Sequence, residues 1–212
     1  TIGAGGRAYS NPKVGWGGGA VRITASGTMT VNGLIRTDGT NSHFNLNGGG
    51  AGGSIWLQAA SLSGSGTIRA NGGLHNYDSG GSGGGGGRIS VILSGSDSFG
   101  SVDLQARGGP GLRRDGAAGT IYTEGSSQAG GKGTGYIVNN WSNTSGRTTL
   151  PARYNPNFSN ELEWATVIVS NANAGANTEM QITTPCTWVG DIFIYPEAVV
   201  DLTNYVLYVN AC

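Results

Sequence analysis

The sequence predicts an all-β protein, a right-handed parallel β-helix (β-solenoid) with coils of about 34 residues. Three observations lead there: a long-period repeat, an apolar/polar alternation inside each copy, and glycine tracts that no helix accommodates. The copies read GGGAVRITASGTMTVNGLIRTDG (17–39), GGGAGGSIWLQAASLSGSGTIRANGG (48–73) and GGGGGRISVILSGSDSFGSVDLQARGG (83–109). Their first apolar runs enter at Val21, Ile55, Ile89 and Ile121, at spacings of 34, 34 and 32 residues. Ile55-Trp56-Leu57-Gln58 and Ile89-Ser90-Val91 alternate with period two, the mark of a half-buried strand. Two-helix repeats share this length, but glycine costs roughly 1 kcal/mol per helical position relative to alanine. Up to five glycines stand in a row here, so equivalent strands of successive coils pair in parallel and in register instead.

The elements follow in chain order. Residues 1–16 read as the glycine connection of a coil whose strands lie upstream, which predicts an unpaired edge at that end. Within the coils, Val21, Ile55, Ile89 and Ile121 form one inward row and Ile23, Leu57, Val91 and Thr123 a second. Ile35, Ile68 and Leu104 form a third, and each such buried side chain contributes about 1.5–3 kcal/mol. The outward rows are Arg22, Trp56, Ser90, Tyr122 and Arg36, Arg69, Gln105. The glycine tracts at 17–19, 48–53 and 80–87 are the long connections, either mobile loops or packed extended chain. Residues 1–136 make up this repeat region. Across 137–212 glycine thins, Trp141, Trp164 and Trp188 appear, and strands are expected at 165–169, 180–184, 191–195 and 199–209. They form either shorter coils or a β cap.

The phrases GGSIWLQAASLSGSGTIRANGG, GGGGGRISVIL and GAAGTIYTEG resemble the glycine-rich parallel β-helix repeats of large bacterial secreted and surface proteins, adhesin-like and filament-like. The resemblance spans about 17–125 and implies an extracellular or cell-surface scaffold. It brings no catalytic residues. The chain opens at Thr1 without methionine, as expected of a mature or excised piece of something longer. In such a surface protein the two cysteines, Cys186 and Cys212, imply one disulfide, worth roughly 3.5 kcal/mol in the chain-entropy model. Two free buried thiols are the alternative. Asn140, Asn143 and Asn157 begin N-glycosylation triplets.

Composition and motif spacing narrow the function. Charged residues are 11% of the chain and the formal net charge is zero, which removes the electrostatic basis for nucleic-acid or polybasic membrane contact. No run approaches the ~20 apolar residues of a membrane helix. His43 and His75 sit in polar loops. His75 and Asp78 are spaced like a metal pair but lack further ligands, so neither metal nor cofactor is expected. GGPGLRRDG (108–116) misplaces its Asp for a calcium nonapeptide, and GSSQAGGKG (125–133) lacks the hydroxyl residue of a phosphate loop. Polysaccharide lyases and hydrolases need clustered carboxylates, whereas Asp38, Asp78, Asp97, Asp103 and Asp115 fall in different loops. Asp38 aligns with Asn71 and Arg107, which reads as a solvated turn position. The leading expectation is a non-enzymatic structural subunit that self-associates into a filament or surface layer. An adhesin or glycan-binding stalk is the alternative, and a glycan-processing enzyme comes third. Arg22, Trp56, Tyr122, Arg36 and Arg69 are the candidate interaction surface, with Trp56 and Tyr122 either stacking on sugars or packing against a neighbouring subunit.

Overall fold

The computed structural model describes residues 2–6, 14–43, 47–75, 80–128, 130, 132–138, 147–149, 161–162, 166–171, 178–181, 186–188, 191–201 and 207–209. Coil one holds β1 (Ala20–Thr24), β2 (Thr28–Thr30) and β3 (Leu34–Arg36), and coil two β4 (Ser54–Ala59), β5 (Ser61–Ser63) and β6 (Thr67–Arg69). Coil three holds β7 (Arg88–Leu93) and β8 (Asp103–Gln105), and β9 (Thr120–Glu124) opens the fourth. Strands β1, β4, β7 and β9 pair in parallel, with Val21, Ile55, Ile89 and Ile121 opposite one another and Ile23, Leu57, Val91 and Thr123 two residues along. Ile35, Ile68 and Leu104 stack in the same way through β3, β6 and β8. The architecture is therefore a parallel β-solenoid. Its core is these rows, joined by Val31 and Leu62, and Ile55, Leu57, Ile68, Ile89 and Val91 are no more than 2% exposed.

The glycine tracts are packed extended chain, and their hydrogen bonds repeat every third residue. Gly49 and Gly52 donate to Ser82 and Gly85 of the next coil, while Gly50 and Gly53 donate to Thr40 and Thr37 of a tract running the other way. A period of three is that of the polyproline II helix, which has no internal hydrogen bonds and must satisfy its backbone through neighbours. Two layers result, one of inbound tracts (37–42, 70–75, 106–110) and one of outbound tracts (14–19, 48–53, 82–87, 114–119). A Cβ built at Gly52 would fall on the carbonyl oxygen of Ala70, and one at Gly86 on that of Ala106. Side chains at these positions are sterically excluded, which is why they are glycine.

The second half continues the solenoid after a reversal. A connection at 125–133, carrying a 3-10 turn at Ser126–Gln128, returns the chain into β10 (Thr134–Val138) antiparallel to β9. Then β13 (Thr166–Ser170) and β16 (Asp191–Ile194) add in parallel to β10, at steps of 32 and 25 residues, giving one seven-stranded sheet. Strands β11 (Arg147–Thr149), β14 (Thr178–Gln181) and β17 (Ala198–Asp201) form a second parallel sheet. Strands β12 (Glu161–Leu162), β15 (Cys186–Trp188) and β18 (Leu207–Val209) form a third. The stretch expected as one strand over 199–209 is thus β17 and β18, in different sheets. Opposed residues of an antiparallel pair share a face. Tyr136 stands opposite Ile121 and packs on the first core, so its neighbour Ile137 projects from the other side into a second core with Val167, Val169 and Met180. The two halves bury opposite faces of one sheet.

The expected Cys186–Cys212 disulfide is corrected. No disulfide occurs among the described residues, the parallel register seats Leu207 beside Cys186, and Cys212 lies outside the described residues. The triplets at Asn140, Asn143 and Asn157 also lie outside them, as do Asp78, Trp141 and Trp164.

The packing of the tracts separates two glycines. Gly52→Ala is expected to lose at least about 2 kcal/mol in urea unfolding, because its methyl meets fixed backbone. Gly19→Ala, whose Cβ meets nothing within 4 Å, is expected to be neutral or stabilising by up to about 1 kcal/mol.

Candidate functional site

Four surfaces collect the residues that the sequence singles out. On the outer face of the seven-stranded sheet the register brings Arg22, Trp56, Ser90 and Tyr122 into one row. The Arg22 guanidinium lies 4.1 Å from the Trp56 ring centre, a cation–π stack that covers part of the indole. Ser90 leaves a gap before Tyr122. The Tyr122 hydroxyl donates to the Glu124 carboxylate at 2.6 Å and accepts the Gly133 N–H at 2.9 Å. Burial, together with the bond to Glu124, pushes its phenol well above the ordinary value. A Cβ at Gly133 would run into the Tyr122 ring. Tyr122 therefore braces the reversal rather than joining Trp56 in an open aromatic face.

The second surface is a polar groove of about 780 Å³ along the flank of β3 and β6, lined by Arg36, Asp38, Asn41, Arg69, Asn71 and Pro110 among others. Arg36 and Arg69 stand side by side in the register. Arg69 is neutralised by Asp38, Nε to Oδ2 at 2.7 Å, while Arg36 is exposed and forms no ion pair among the described residues. The position expected as a solvated turn is instead a bonded ladder. Asp38 accepts the N–H of Asn71 at 2.9 Å, and Asn71 accepts that of Arg107 at 2.8 Å and donates to Gln105 at 3.1 Å. An Asp or Asn at one coil position receives the backbone of the coil above, so its polarity serves the stack. The 33-residue recurrence of Asp38 and Asn71 was the available signal.

The third surface is the outer edge of β1. Ala25 N–H donates to Gln58 and Ser54 N–H to Gly19, so the odd-numbered residues of β1 bond coil two. Ala20, Arg22 and Thr24 turn their N–H and C=O groups to the open side, where no described strand lies. At the far end β16 is likewise an edge of the sheet, with Phe193, Ile194 and the following Tyr195 about half exposed.

The fourth is a set of loop carboxylates and histidines. His43 is exposed. His75 is 3% exposed, seated in a single parallel bridge to Ser42 with its N–H on Pro110, so burial and not solvation describes it. Among the described residues no group of three or more His, Cys, Asp or Glu is placed to hold a metal. Asp97 accepts from the Ser127 N–H at 2.8 Å and the Ser126 hydroxyl at 3.1 Å, tying coil three to the reversal. Those bonds hold its carboxyl below the ordinary value. Asp115 accepts the Gly111 N–H at 2.6 Å, and its burial pushes it above that value. Among the described residues no helix is long and apolar enough to cross a membrane. No family model, no curated protein and no solved structure matches the chain.

The two carboxyls give pH dependences of opposite sign. The depressed Asp97 contributes stability above its ordinary pKa of 3.8, lost as pH falls through its folded value. The melting temperature of Asp97→Ala is therefore expected to lie below that of the parent at neutral pH and to converge with it in acid. The raised Asp115 contributes stability below 3.8 that is lost as pH rises through its folded value. Asp115→Asn, which keeps an oxygen for Gly111, is expected to melt higher than the parent at neutral pH. A melting series across acid and neutral pH reads both.

Proposed function

We propose that the chain is a non-enzymatic structural protein of an extracellular or cell-surface setting, a β-solenoid that assembles end to end into a filament or layer. The observation that carries this reading is the open edge of β1. Val21 and Ile23 are only half-buried there, whereas Ile55 and Leu57, in the same rows one coil along, are 2% and 1% exposed. Leu34, at the same end, is 50% exposed. A further strand on β1 would satisfy three N–H groups and complete two apolar rows at once. The exposed β16 edge at the other end gives each subunit two different joining surfaces, the condition for an assembly that propagates rather than closes. The polar side chains support the same reading, since Asp38, Asn71, Asp97 and Tyr122 bond neighbouring backbone or neighbouring side chains of the stack.

A second reading, an adhesive or glycan-binding stalk, is favoured by the polar groove, where Arg36 stands exposed beside Asn41 and Asn71 in a space large enough for a sugar. Sedimentation and electron microscopy separate the two. The structural reading expects concentration-dependent polymers, suppressed by Thr24→Pro, which removes an outward N–H while leaving the bonds to coil two in place. A monomer at every concentration, or polymers indifferent to Thr24→Pro, would refute assembly through β1. Glycan binding that is lost in Arg36→Ala would establish the second reading.

A further inference from the structure

The glycine layers carry a third layer that the described residues fill only in part. Residues 2–6 lie across the outer face of the outbound tracts, antiparallel to 15–18, with Gly3 donating to Gly18 at 2.7 Å and Gly6 to Gly15 at 2.7 Å. Ala51 of the next tract donates to Ala4 at 2.9 Å, so the segment bridges two rows. Beyond it no described residue lies in the layer until Arg147 and Thr148 of the second half, where the Thr148 hydroxyl donates to Ala118 at 2.6 Å. Between these walls runs a groove of about 370 Å³ whose floor is 51–54, 85–88 and 117–120.

The floor repeats what holds residues 2–6. Gly85 is the counterpart of Ala51 one coil on, and Gly52 the counterpart of Gly18. Gly83 and Gly86 send their N–H groups to the next tract, and Gly84 and Gly87 send theirs to the inbound layer. Three residues per turn then aim the Gly85 N–H out of the floor, as Ala51 is aimed at Ala4, and it has no partner among the described residues. A Cβ at Gly85 would meet only the Ala117 oxygen, at 3.9 Å, whereas one at Gly17, in the equivalent row under residues 2–6, would collide with Gly3.

We propose that this groove is a docking site for an extended, glycine-rich segment of another polypeptide in the polyproline II conformation. Its occupant lies antiparallel to the outbound tracts, takes the Gly85 N–H on a carbonyl and donates to the Gly52 carbonyl. The filled part of the layer sets the recognition rule. Gly3 and Gly6, three apart, both face the floor, and a Cβ at either would strike backbone of the layer below. The occupant therefore carries Gly-x-x-Gly spacing. A groove with backbone donors and no room for Cβ selects by the absence of side chains, continuing a contact the chain already makes with itself. It does not depend on assembly through β1, so each stands or falls alone.

The test is heteronuclear NMR on the full chain titrated with the capped hexapeptide of residues 1–6, TIGAGG. Perturbations confined to the amides of Gly85, Gly86 and Ala117 are expected, absent with a peptide whose glycines are alanines. They are also expected to vanish in Gly85→Leu, which fills the groove while the resonances of Ile55, Leu57 and Ile89 stay in place. No perturbation of the floor amides, an equal response to the alanine peptide, or a response unchanged in Gly85→Leu overturns the proposal.

Discussion

The structure depends on backbone hydrogen bonds made between extended glycine tracts at separations that exclude a Cβ. The strands β1, β4, β7 and β9 would stack in any parallel sheet with valine and isoleucine facing in. Closing each coil requires a long return path, and a path of ordinary residues would leave buried N–H and C=O groups without partners. Threefold glycine chains solve this by hydrogen bonding sideways in three directions, to the next tract, to the opposite layer and to residues 2–6. In the first half the apolar rows hold one side of each coil and the glycine layers hold the other. Neither alone closes it.

The reversal at 125–133 decides how the two halves relate. The register of β10 on β9 sets Gly135 opposite Tyr122 and Tyr136 opposite Ile121, so Ile137 shares the face of Tyr122 and the second core forms on that side. Gly133 beneath its ring and Gly135 opposite it leave the space Tyr122 needs. Asp97, bonded to Ser126 and Ser127, anchors the turn to coil three. A residue that looks like a surface aromatic in the linear repeat is therefore part of a structural joint.

The same economy governs the polar residues. Asp38 and Asn71 receive backbone N–H groups of the coil above, and Thr28–Ser61 and Thr30–Ser63 pair their hydroxyls from coil to coil at 2.7 and 2.9 Å. In the second half, Arg147 bridges Glu179 at 2.9 Å and Asp201 at 3.7 Å in one such ladder. Among the described residues, repetition leaves unsatisfied the edges at β1 and β16, the exposed Arg36 beside its groove, and the open part of the third glycine layer.

The sequence by itself determined the first half of the fold. A 34-residue spacing with period-two alternation leaves one register in which Val21, Ile55, Ile89 and Ile121 all face inward, since a slip of one residue would turn every one of them to solvent. It also placed Arg22 beside Trp56 and Arg36 beside Arg69, because neighbours in a solenoid are one repeat apart. Only the tertiary structure decided whether the glycine tracts were ordered, since glycine suits a mobile loop and a packed layer alike and the difference lies in bonds to other coils. The reversal that sends β10 against β9, the burial of His75 and the place of Leu207 beside Cys186 were settled there too. The reversal joins stretches that share no repeat, where periodicity is silent, while His75 is buried by the packing of its own glycine tract between neighbouring coils.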